Sequence, residues 1–314
     1  MSDRRERGPG GGDDLEARML AEQRTMREGA TAPPEDVHAG FVTFVGRPNV
    51  GKSTLLNRIL GQKVSIVSDK PQTTRNQVRG VLSREGAQVV FVDTPGIHKP
   101  KTTLGTRLNE TATDAVTGVD VVCLVVDATM PLGKGDRFVA SRVPGDAVVI
   151  VNKTDVAPPA EVLRQLTRAA SLDLSEYFPV SAVTGAGVDA LVDHLVGRMP
   201  MGPPLYPAGV VTDVPEAFWV AELVREQLFA VMREEMPYSI ATQVTDWEWP
   251  WIRCEVLVER ESQKGMVIGR KGAILKEVGT AVRAQLAEGA YLELVVKVDP
   301  GWQRRPRSLT RLGY

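Results

Sequence analysis

The fold is decided by an eight-residue segment between two regular elements, Gly46-Arg47-Pro48-Asn49-Val50-Gly51-Lys52-Ser53. An apolar run at 41–45 precedes it and a helical run at 54–60 follows it, which is the strand, loop and helix order of a P-loop. The two glycines allow a tight turn that aims successive backbone N–H groups at phosphate oxygens. Lys52 then reaches the β and γ phosphates, and Ser53 offers a hydroxyl to Mg²⁺. A chance loop with a well-placed lysine is the alternative, but the flanking elements favour a nucleotide site.

Length and composition indicate two globular domains. The chain has 314 residues, 43% of them apolar, and a formal net charge of −1. Cys123 and Cys254 each lie in an apolar run, which indicates buried thiols in a reducing cytoplasm rather than a disulfide framework. The longest apolar run, 119–128, contains two aspartates and is shorter than the roughly 20 residues of a membrane helix. No hydrophobic signal segment opens the chain. We therefore expect a cytoplasmic protein without a transmembrane segment and, since nothing suggests a coiled coil, a monomer.

Composition also divides the chain into four segments. Residues 1–38 combine a glycine cluster with mixed charges and predict a disordered extension, because they cannot bury enough apolar area to offset the entropy of ordering. A first domain is expected over 39–200. A proline-rich linker is expected over 201–213, and a second domain with a C-terminal tail over 214–314.

Two motifs after the P-loop helix add groups for a metal ion and a γ-phosphate. A polar loop at 69–76 carries the paired threonines Thr73 and Thr74, and a later apolar run ends in Asp93-Thr94-Pro95-Gly96. An aspartate at the end of a buried strand can hold a magnesium-bound water, while a glycine lets a backbone N–H contact the γ-phosphate. The expected metal ligands are Ser53, Thr74 and Asp93. The expected catalytic residues are Lys52, Thr74, Asp93 and Gly96.

A further pair of motifs predicts which base is bound. The apolar run 147–151 leads into Asn152-Lys153-Thr154-Asp155, where the carboxylate of Asp155 can accept hydrogen bonds from N1 and N2 of guanine. Adenine has no such pair of donors. Ser181, Ala182 and Val183 follow another strand-like run and can close over the base. The complete set of expected nucleotide-binding residues is Gly46, Arg47, Pro48, Asn49, Val50, Gly51, Lys52, Ser53, Thr54, Asp93, Thr94, Pro95, Gly96, Asn152, Lys153, Asp155, Ser181, Ala182 and Val183.

These five motifs, in this order, resemble the complete set of the translation-factor-like GTPases. The resemblance implies an α/β fold, in which a mostly parallel sheet is covered by helices on both faces. It also implies GTP and GDP as ligands, Mg²⁺ as cofactor, and hydrolysis of GTP to GDP and phosphate.

The second domain shows a regular order of helical and strand-like runs. A helical period covers 216–235, and strand-like runs cover 239–244 and 253–259. A short helical turn at 263–268, a helix over 273–288 and a strand over 291–298 complete the order αββααβ. This order resembles that of an α+β, type II KH domain. The tryptophan-rich residues 245–252 are expected to connect the first two strands. Their alternate tryptophans, Trp247, Trp249 and Trp251, leave base stacking, core packing and a hairpin cap as open interpretations.

A G-x-x-G loop lies between the two later helices of this domain. Two glycines allow a sharp turn against a nucleic-acid backbone, and the cations between them neutralise phosphates. From Lys264 to Arg311 there are ten Lys and Arg against four Asp and Glu. An ordinary helix turn with a solvated basic surface is the alternative, but the element order and the charge favour RNA binding. The expected RNA-binding residues are Lys264, Gly269, Arg270, Lys271 and Gly272.

A GTPase domain followed by such a KH domain resembles the Era family of bacterial GTPases. The segments that carry this resemblance are Pro71-Gln72-Thr73-Thr74-Arg75, Asp93-Thr94-Pro95-Gly96-Ile97-His98-Lys99-Pro100, Glu235-Met236-Pro237-Tyr238-Ser239, Glu259-Arg260-Glu261-Ser262-Gln263-Lys264-Gly265 and Leu312-Gly313-Tyr314. The resemblance implies binding to the 3′ end of 16S ribosomal RNA and a role in assembly of the small (30S) subunit. It also implies some peripheral association with the inner face of the cell membrane.

Two residues bear on the rate of hydrolysis, and alternatives for the function stay open. Ile97 stands where a Ras-like enzyme has the glutamine that orients water, so intrinsic hydrolysis should be slow. Asn49 matches an asparagine that in some relatives helps hold a potassium ion, which leaves K⁺ activation open. One alternative function is a non-catalytic RNA-binding assembly factor that the nucleotide only stabilises. Another is a GTPase that acts on a different RNA.

Overall fold

A computed structural model of the chain describes residues 36–100, 102–174, 176–232 and 236–314. The disordered extension expected over 1–38 lies almost wholly outside the described residues. The remainder forms an α/β domain followed by a smaller α+β domain, so the predicted fold class is confirmed.

The first domain is built on a mostly parallel sheet. Its strands are β1 (Val37–Val45), β2 (Val78–Arg84), β3 (Ala87–Asp93), β4 (Val121–Asp127), β5 (Val148–Asn152), β6 (Glu176–Pro179) and β7 (Met201–Gly202). The main path runs β2-β3-β1-β4-β5-β6, with β2 antiparallel to β3, and β7 pairs antiparallel with β1. The central strands β3, β4 and β5 are almost entirely apolar because both faces of the sheet are covered.

Five helices cover the two faces of this sheet: α1 (Lys52–Leu60), α2 (Thr103–Asp114), α3 (Lys134–Ala140), α4 (Pro159–Ala170) and α5 (Val188–Gly197). α1 and α5 pack on one face, where Leu55 and Leu191 share a core with Phe44 and Phe91. α2, α3 and α4 contribute to a second core on the other face. The loops that follow the parallel strands meet at one edge of the sheet, which is where α/β sheets bind ligands.

The second domain has the predicted αββααβ order. Its elements are α6 (Glu216–Val231), β8 (Ala241–Glu248), β9 (Trp251–Val258), α7 (Glu261–Ile268), α8 (Ala273–Arg283), β10 (Tyr291–Val298) and a C-terminal α9 (Pro306–Arg311). β9 lies in the middle of the sheet, parallel to β10 and antiparallel to β8. One face of the sheet shares a core with α6, α7 and α8 that includes Val224, Cys254 and Val278.

Several boundaries in this domain differ from those expected. Residues 245–252 are not a connecting loop, because β8 and β9 extend through them and leave only Trp249 and Pro250 between the strands. Pro250 is tolerated at the turn, where no ladder N–H is required. The helix expected over 273–288 ends at Arg283, after which Leu286 packs on the core and Gly289 takes a left-handed conformation with φ of 89°. The helix expected to reach 235 ends at Val231.

The two domains share a small apolar cluster. Leu104 and Leu108 of α2 pack against Leu257 and Trp302 of the second domain. The linker is also attached, because Val81 of the edge strand β2 donates a backbone hydrogen bond to Val211. Within the described ranges, no helix combines the length and the apolar content needed to cross a bilayer.

Candidate nucleotide and RNA sites

Two glycines of the P-loop are required by close contacts with neighbouring strands. A Cβ on Gly46 would lie 2.5 Å from the carbonyl oxygen of Val125, and one on Gly51 would lie 2.2 Å from Nδ2 of Asn152. Gly51 also has a φ of 98°, in the left-handed region that favours glycine. The sequence therefore folds this loop tightly against the carboxyl ends of β4 and β5.

Lys52 begins α1 and is buried inside the loop. Its Nζ donates hydrogen bonds to the carbonyl oxygens of Gly46 and Arg47, at 3.3 and 3.2 Å. Burial lowers the pKa of Lys52 to about 8, while the charge of Asp93 acts in the opposite direction. A phosphate in the loop would supply a counter-charge to this buried ammonium group.

The three expected metal ligands lie together. The hydroxyl oxygens of Ser53 and Thr74 are 2.9 Å apart, and they donate to Oδ2 of Asp93 at 2.6 and 3.3 Å. The other carboxylate oxygen, Oδ1, is buried and has no hydrogen-bond partner among the described residues. Burial raises the pKa of Asp93, and Lys52 and the surrounding hydroxyls oppose that shift. Two hydroxyls and a carboxylate are hard oxygen donors, so the residues present fit Mg²⁺.

The γ-phosphate side of the site is formed where two loops touch. A Cβ on Gly96 would lie 2.7 Å from the backbone nitrogen of Pro48, so only glycine allows this approach without a shift of the P-loop. Thr94 donates to the carbonyl of Phe44 in β1, which fixes the start of the Asp93–Gly96 loop. An open cleft of roughly 390 Å³ is lined by residues of the P-loop, of the threonine loop and by Gly96.

The expected base-binding residues are tied to the P-loop by Asn152. Its side chain donates to the carbonyl oxygen of Val50 at 2.8 Å and accepts from the backbone N–H of Ala182 at 3.0 Å. Oδ1 of Asp155 accepts a hydrogen bond from the hydroxyl of Ser181 at 2.7 Å, which leaves the exposed carboxylate oriented by a neighbouring loop. The two base-binding loops are therefore held in one arrangement.

Other expected members of the nucleotide set have different surroundings. The guanidinium of Arg47 pairs with Asp136 of α3 at 2.9 Å. The side chain of Asn49 donates to the carbonyl oxygen of Asp69 in the threonine loop at 2.5 Å. Thr54 lines the cleft, and the side chain of Val183 is 60% exposed beside the base-binding loops.

The G-x-x-G loop has the backbone that its glycines predict. Gly269 and Gly272 have φ values of 72° and 78°, and Lys271 between them is also left-handed at 52°. A Cβ on Gly269 would lie 2.7 Å from Ile274, so the turn into α8 needs a glycine there. Arg270 and Lys271 are exposed. In the part of the chain that the structure describes, neither has a carboxylate within ion-pair distance.

Comparison with known proteins identifies both domains. Residues 41–153 match the family model of the 50S ribosome-binding GTPases, and residues 235–303 match that of the KH domain. The chain is 44% identical to GTPase Era of Mycolicibacterium paratuberculosis, with 89% of this chain and 99% of that protein covered. It is 44% identical to GTPase Era of a Nocardioides species, covering 90% of this chain and 98% of that protein. The chain belongs to the Era family of GTPases.

Two solved Era structures have the same fold. A variant of Aquifex aeolicus Era bound to GDP and AlF4⁻ is 39% identical, with a TM-score of 0.83 over 88% of this chain and 99% of that one. Era in complex with MgGDPNP and nucleotides 1506–1542 of 16S ribosomal RNA is 38% identical, with a TM-score of 0.84 and the same coverage. Both neighbours span the two domains, so the predicted family is confirmed along most of the chain.

Several residues around the nucleotide site of this Era-family chain were missed from the sequence. Asp127 accepts a hydrogen bond from the ammonium group of Lys153 at 2.6 Å. Burial raises the pKa of Asp127, but hydrogen bonds from Lys153 and Thr129 outweigh burial and lower that pKa. Arg58 of α1 donates to the carbonyl oxygen of Ala182 at 3.1 Å. Ser65 donates to Asp93 at 2.9 Å. The position of Asp127 at the end of an apolar strand could have identified it from the sequence. The contacts of Arg58 and Ser65 could not be identified, because they join segments that only the fold brings together.

The sequence also gave no sign that the threonine loop is bound to the KH domain. Arg225 of α6 is fully buried and donates to the carbonyl oxygen of Thr73 at 2.6 Å. Arg75 is likewise buried, and it donates to the carbonyl oxygens of Ile240 at 2.7 Å and Tyr238 at 3.3 Å. Thr74, a metal ligand in the expected set, therefore lies between two residues that are bonded to the KH domain of this GTPase.

Proposed function

We propose that this Era-family GTPase is a guanine-nucleotide switch that binds the 3′ end of 16S ribosomal RNA and assists assembly of the 30S subunit. The observation that carries the proposal is a physical connection between the two sites. Thr74 of the metal set lies between Thr73 and Arg75, and both of these neighbours are hydrogen-bonded to the RNA-binding domain. An Era relative of the same fold holds MgGDPNP and that RNA segment together. The proposed domains are residues 39–200 for GTP and 214–314 for RNA, joined by 201–213.

In the proposed mechanism the protein mainly positions and neutralises the triphosphate. The P-loop N–H groups and Lys52 bind the phosphate oxygens, and the backbone N–H of Gly96 contacts the γ-phosphate. Ser53, Thr74 and Asp93 would hold Mg²⁺. When bound, the ion would neutralise charge on the β and γ phosphate oxygens. Hydrolysis removes the γ-phosphate contacts, and the segments 69–76 and 96–106 are then released.

The remaining proposed contacts select the base. Asp155 accepts hydrogen bonds from guanine, while Asn152 and Lys153 brace the loop that carries Asp155. The backbone at Ser181, Ala182 and Val183 closes over the ring. Support comes from the hydrogen bond between Asp155 and Ser181, because it orients a carboxylate that is otherwise exposed.

Slow intrinsic turnover is part of the proposal. Ile97 is buried, and its backbone N–H donates to the carbonyl oxygen of Gly46 at 3.1 Å, so its side chain offers nothing to orient water. Activation by K⁺ through Asn49 stays a prediction. The bond from Asn49 to the carbonyl of Asp69 would have to rearrange for the amide to face a cation.

RNA binding is proposed for the loop Gly269–Gly272 together with Lys264. The exposed cations Arg270 and Lys271 favour phosphate contacts, and the turn between two glycines brings the backbone close to the nucleic acid. We place the protein in the cytoplasm. Association with the inner face of the cell membrane is a further prediction, and fractionation of cells into cytosol and membranes tests both.

The experiment that tests the proposed function is RNA binding in two nucleotide states. The purified chain is titrated into a labelled RNA that ends in the 3′ sequence of 16S ribosomal RNA, with a non-hydrolysable GTP analogue or with GDP. We expect tighter binding with the analogue and weaker binding of an RNA of the same length with scrambled sequence. Equal affinity for both RNAs would contradict the assignment of the partner, and equal affinity in both nucleotide states would contradict the switch.

A further inference from the structure

Asp93 receives three hydroxyl hydrogen bonds on one carboxylate oxygen. Ser53, Ser65 and Thr74 donate to Oδ2 at 2.6, 2.9 and 3.3 Å. Ser53 and Thr74 belong to the expected metal set, but nothing in the sequence assigned a role to Ser65. Its side chain is buried with only 2% exposed, and Asp93 is fully buried.

Ser65 is held by a part of the fold that neither the nucleotide nor the threonine loop supplies. Asn57 of α1 accepts hydrogen bonds from the backbone N–H groups of Val64 and Ser65, at 2.9 and 3.0 Å. The same amide donates to the carbonyl oxygen of Ser65 at 2.8 Å. Three bonds from one side chain therefore fix the backbone that presents the Ser65 hydroxyl to Asp93.

The other two donors to Asp93 depend on the state of the site. Thr74 lies on the segment 69–76, which the switch releases after hydrolysis, and the hydroxyl oxygen of Ser53 is an expected ligand of Mg²⁺. We propose that Ser65 is a positioning residue that keeps the Asp93 carboxylate oriented for Mg²⁺ when the threonine loop withdraws, an inference that rests on the proposed function. Oδ1 of Asp93 has no hydrogen-bond partner among the described residues, so with Oδ2 held by Ser65 it would be available to a water bound to Mg²⁺.

Loss of the Ser65 hydroxyl should therefore lower the affinity for Mg²⁺ rather than change how the nucleotide itself is bound. Mg²⁺ is expected to slow the release of a fluorescent GDP, and the Mg²⁺ midpoint is the concentration that gives half of this effect. In Ser65→Ala this midpoint should rise by about 10-fold, a usual loss of metal affinity when a hydrogen-bond partner of a metal ligand is removed. Saturating Mg²⁺ should restore the wild-type release rate. Ser65→Cys keeps the side-chain size but is a weak donor, so it should shift the midpoint in the same direction.

The matched control is Thr43→Val. Thr43 is also buried, and its hydroxyl donates to the carbonyl oxygen of Val92, the residue before Asp93, at 3.3 Å. This variant removes a buried hydroxyl beside the same strand without touching the carboxylate, so the Mg²⁺ midpoint should stay within about 2-fold of the wild type. An equal shift in Thr43→Val would show a general packing effect and overturn the proposal.

A double-mutant cycle separates positioning from stability. In an Asp93→Asn background, Ser65→Ala should add less than about 2-fold to the Mg²⁺ midpoint, because its effect passes through the carboxylate. Full additivity, or an unchanged midpoint in Ser65→Ala alone, would overturn the role of Ser65. GDP release by the wild type that does not respond to Mg²⁺ would instead overturn the proposed metal set, so the two failures are distinguishable.

Discussion

At the scale of residues, the exposed carboxylate of Asp155 is the group proposed to select guanine. It is oriented by the Ser181 hydroxyl at 2.7 Å, and Ser181 in turn accepts from the backbone N–H of Thr184 at 3.0 Å. These two hydrogen bonds fix the orientation of the Asp155 carboxylate. We therefore propose that the choice of base depends mainly on this one charged side chain.

Asp155→Asn should reverse the preference for the base. The amide replaces one acceptor by a donor, so GTP affinity should fall by about 10- to 100-fold, the range for a hydrogen bond to a charged group. Xanthosine triphosphate, which presents an acceptor at that position, should then bind better than GTP. Competition binding measures both, with Asp189→Asn, an exposed carboxylate of α5, as control. Unchanged GTP preference would contradict the assignment of Asp155.

Thr74→Ala should separate hydrolysis from GDP binding. The hydroxyl of Thr74 is 2.9 Å from that of Ser53, and its loss removes one proposed ligand of Mg²⁺. We expect single-turnover hydrolysis at limiting Mg²⁺ to fall by at least about 10-fold, with GDP affinity nearly unchanged. Thr113→Ala, which removes an exposed hydroxyl of α2, is the control. A parallel loss of GDP binding would argue against this role.

Residues in contiguous motifs were predictable from the sequence, because each motif encodes its own local geometry. Ser65, Asn57 and Arg58 were not, since their roles arise from contacts with segments that are distant in the chain. The roles of the site residues inside the motifs stay predictions, and the variants of Asp155 and Thr74 test two of them. In the structure the hydroxyl oxygen of Ser53 lies 2.9 Å from that of Thr74 and 2.6 Å from the carboxylate of Asp93.

At the scale of elements, the turn between α7 and α8 is the feature that we propose contacts RNA. Its left-handed residues, Gly269, Lys271 and Gly272, expose two cations at the start of α8. The order of helices and strands in this domain was predictable from hydrophobic periodicity, whereas the end of α8 at Arg283 was not. That boundary depends on Leu286 packing onto the domain core, a tertiary effect.

The double variant Arg270→Ala/Lys271→Ala should weaken RNA binding mainly through phosphate contacts. If each cation neutralises one phosphate, the slope of log affinity against log salt should decrease in magnitude by about 1.4 for single-stranded RNA. Arg137→Ala/Arg142→Ala removes two exposed cations of the first domain and serves as the matched control. Salt titrations give both slopes, and an unchanged slope in the loop variant would place the RNA elsewhere.

At the scale of the whole molecule, the KH domain is bonded to the loop that carries Thr74. Arg225 is paired with the buried Glu222 and donates to the backbone at Thr73, while Arg75 passes in the opposite direction into the KH domain. Burial lowers the pKa of Arg75, with the nearby Tyr314 acting in the opposite direction. The sequence identified both domains but not this interface, because no local pattern encodes a contact between distant segments.

The paired variant Glu222→Gln/Arg225→Gln should weaken hydrolysis from outside the GTPase domain. Both charges are removed together, so neither member of this ion pair is left as an unpaired buried charge. Loss of the charged hydrogen bond to Thr73 should loosen Thr74 and lower single-turnover hydrolysis by about 10-fold, with GDP affinity kept. Arg283→Ala, an exposed arginine of α8, is the control. Wild-type hydrolysis in the paired variant would show that the interface does not support the metal site.

GTP turnover in the presence of RNA shows whether hydrolysis in the first domain responds to RNA bound by the second. The full chain is assayed with and without an RNA that bears the 3′ end of 16S ribosomal RNA, in sodium and then in potassium buffer. We expect slow turnover by the protein alone, which this RNA raises and a scrambled RNA of equal length does not. Turnover indifferent to the 3′-end RNA, together with no binding of it, would contradict a switch that couples GTP hydrolysis to this RNA.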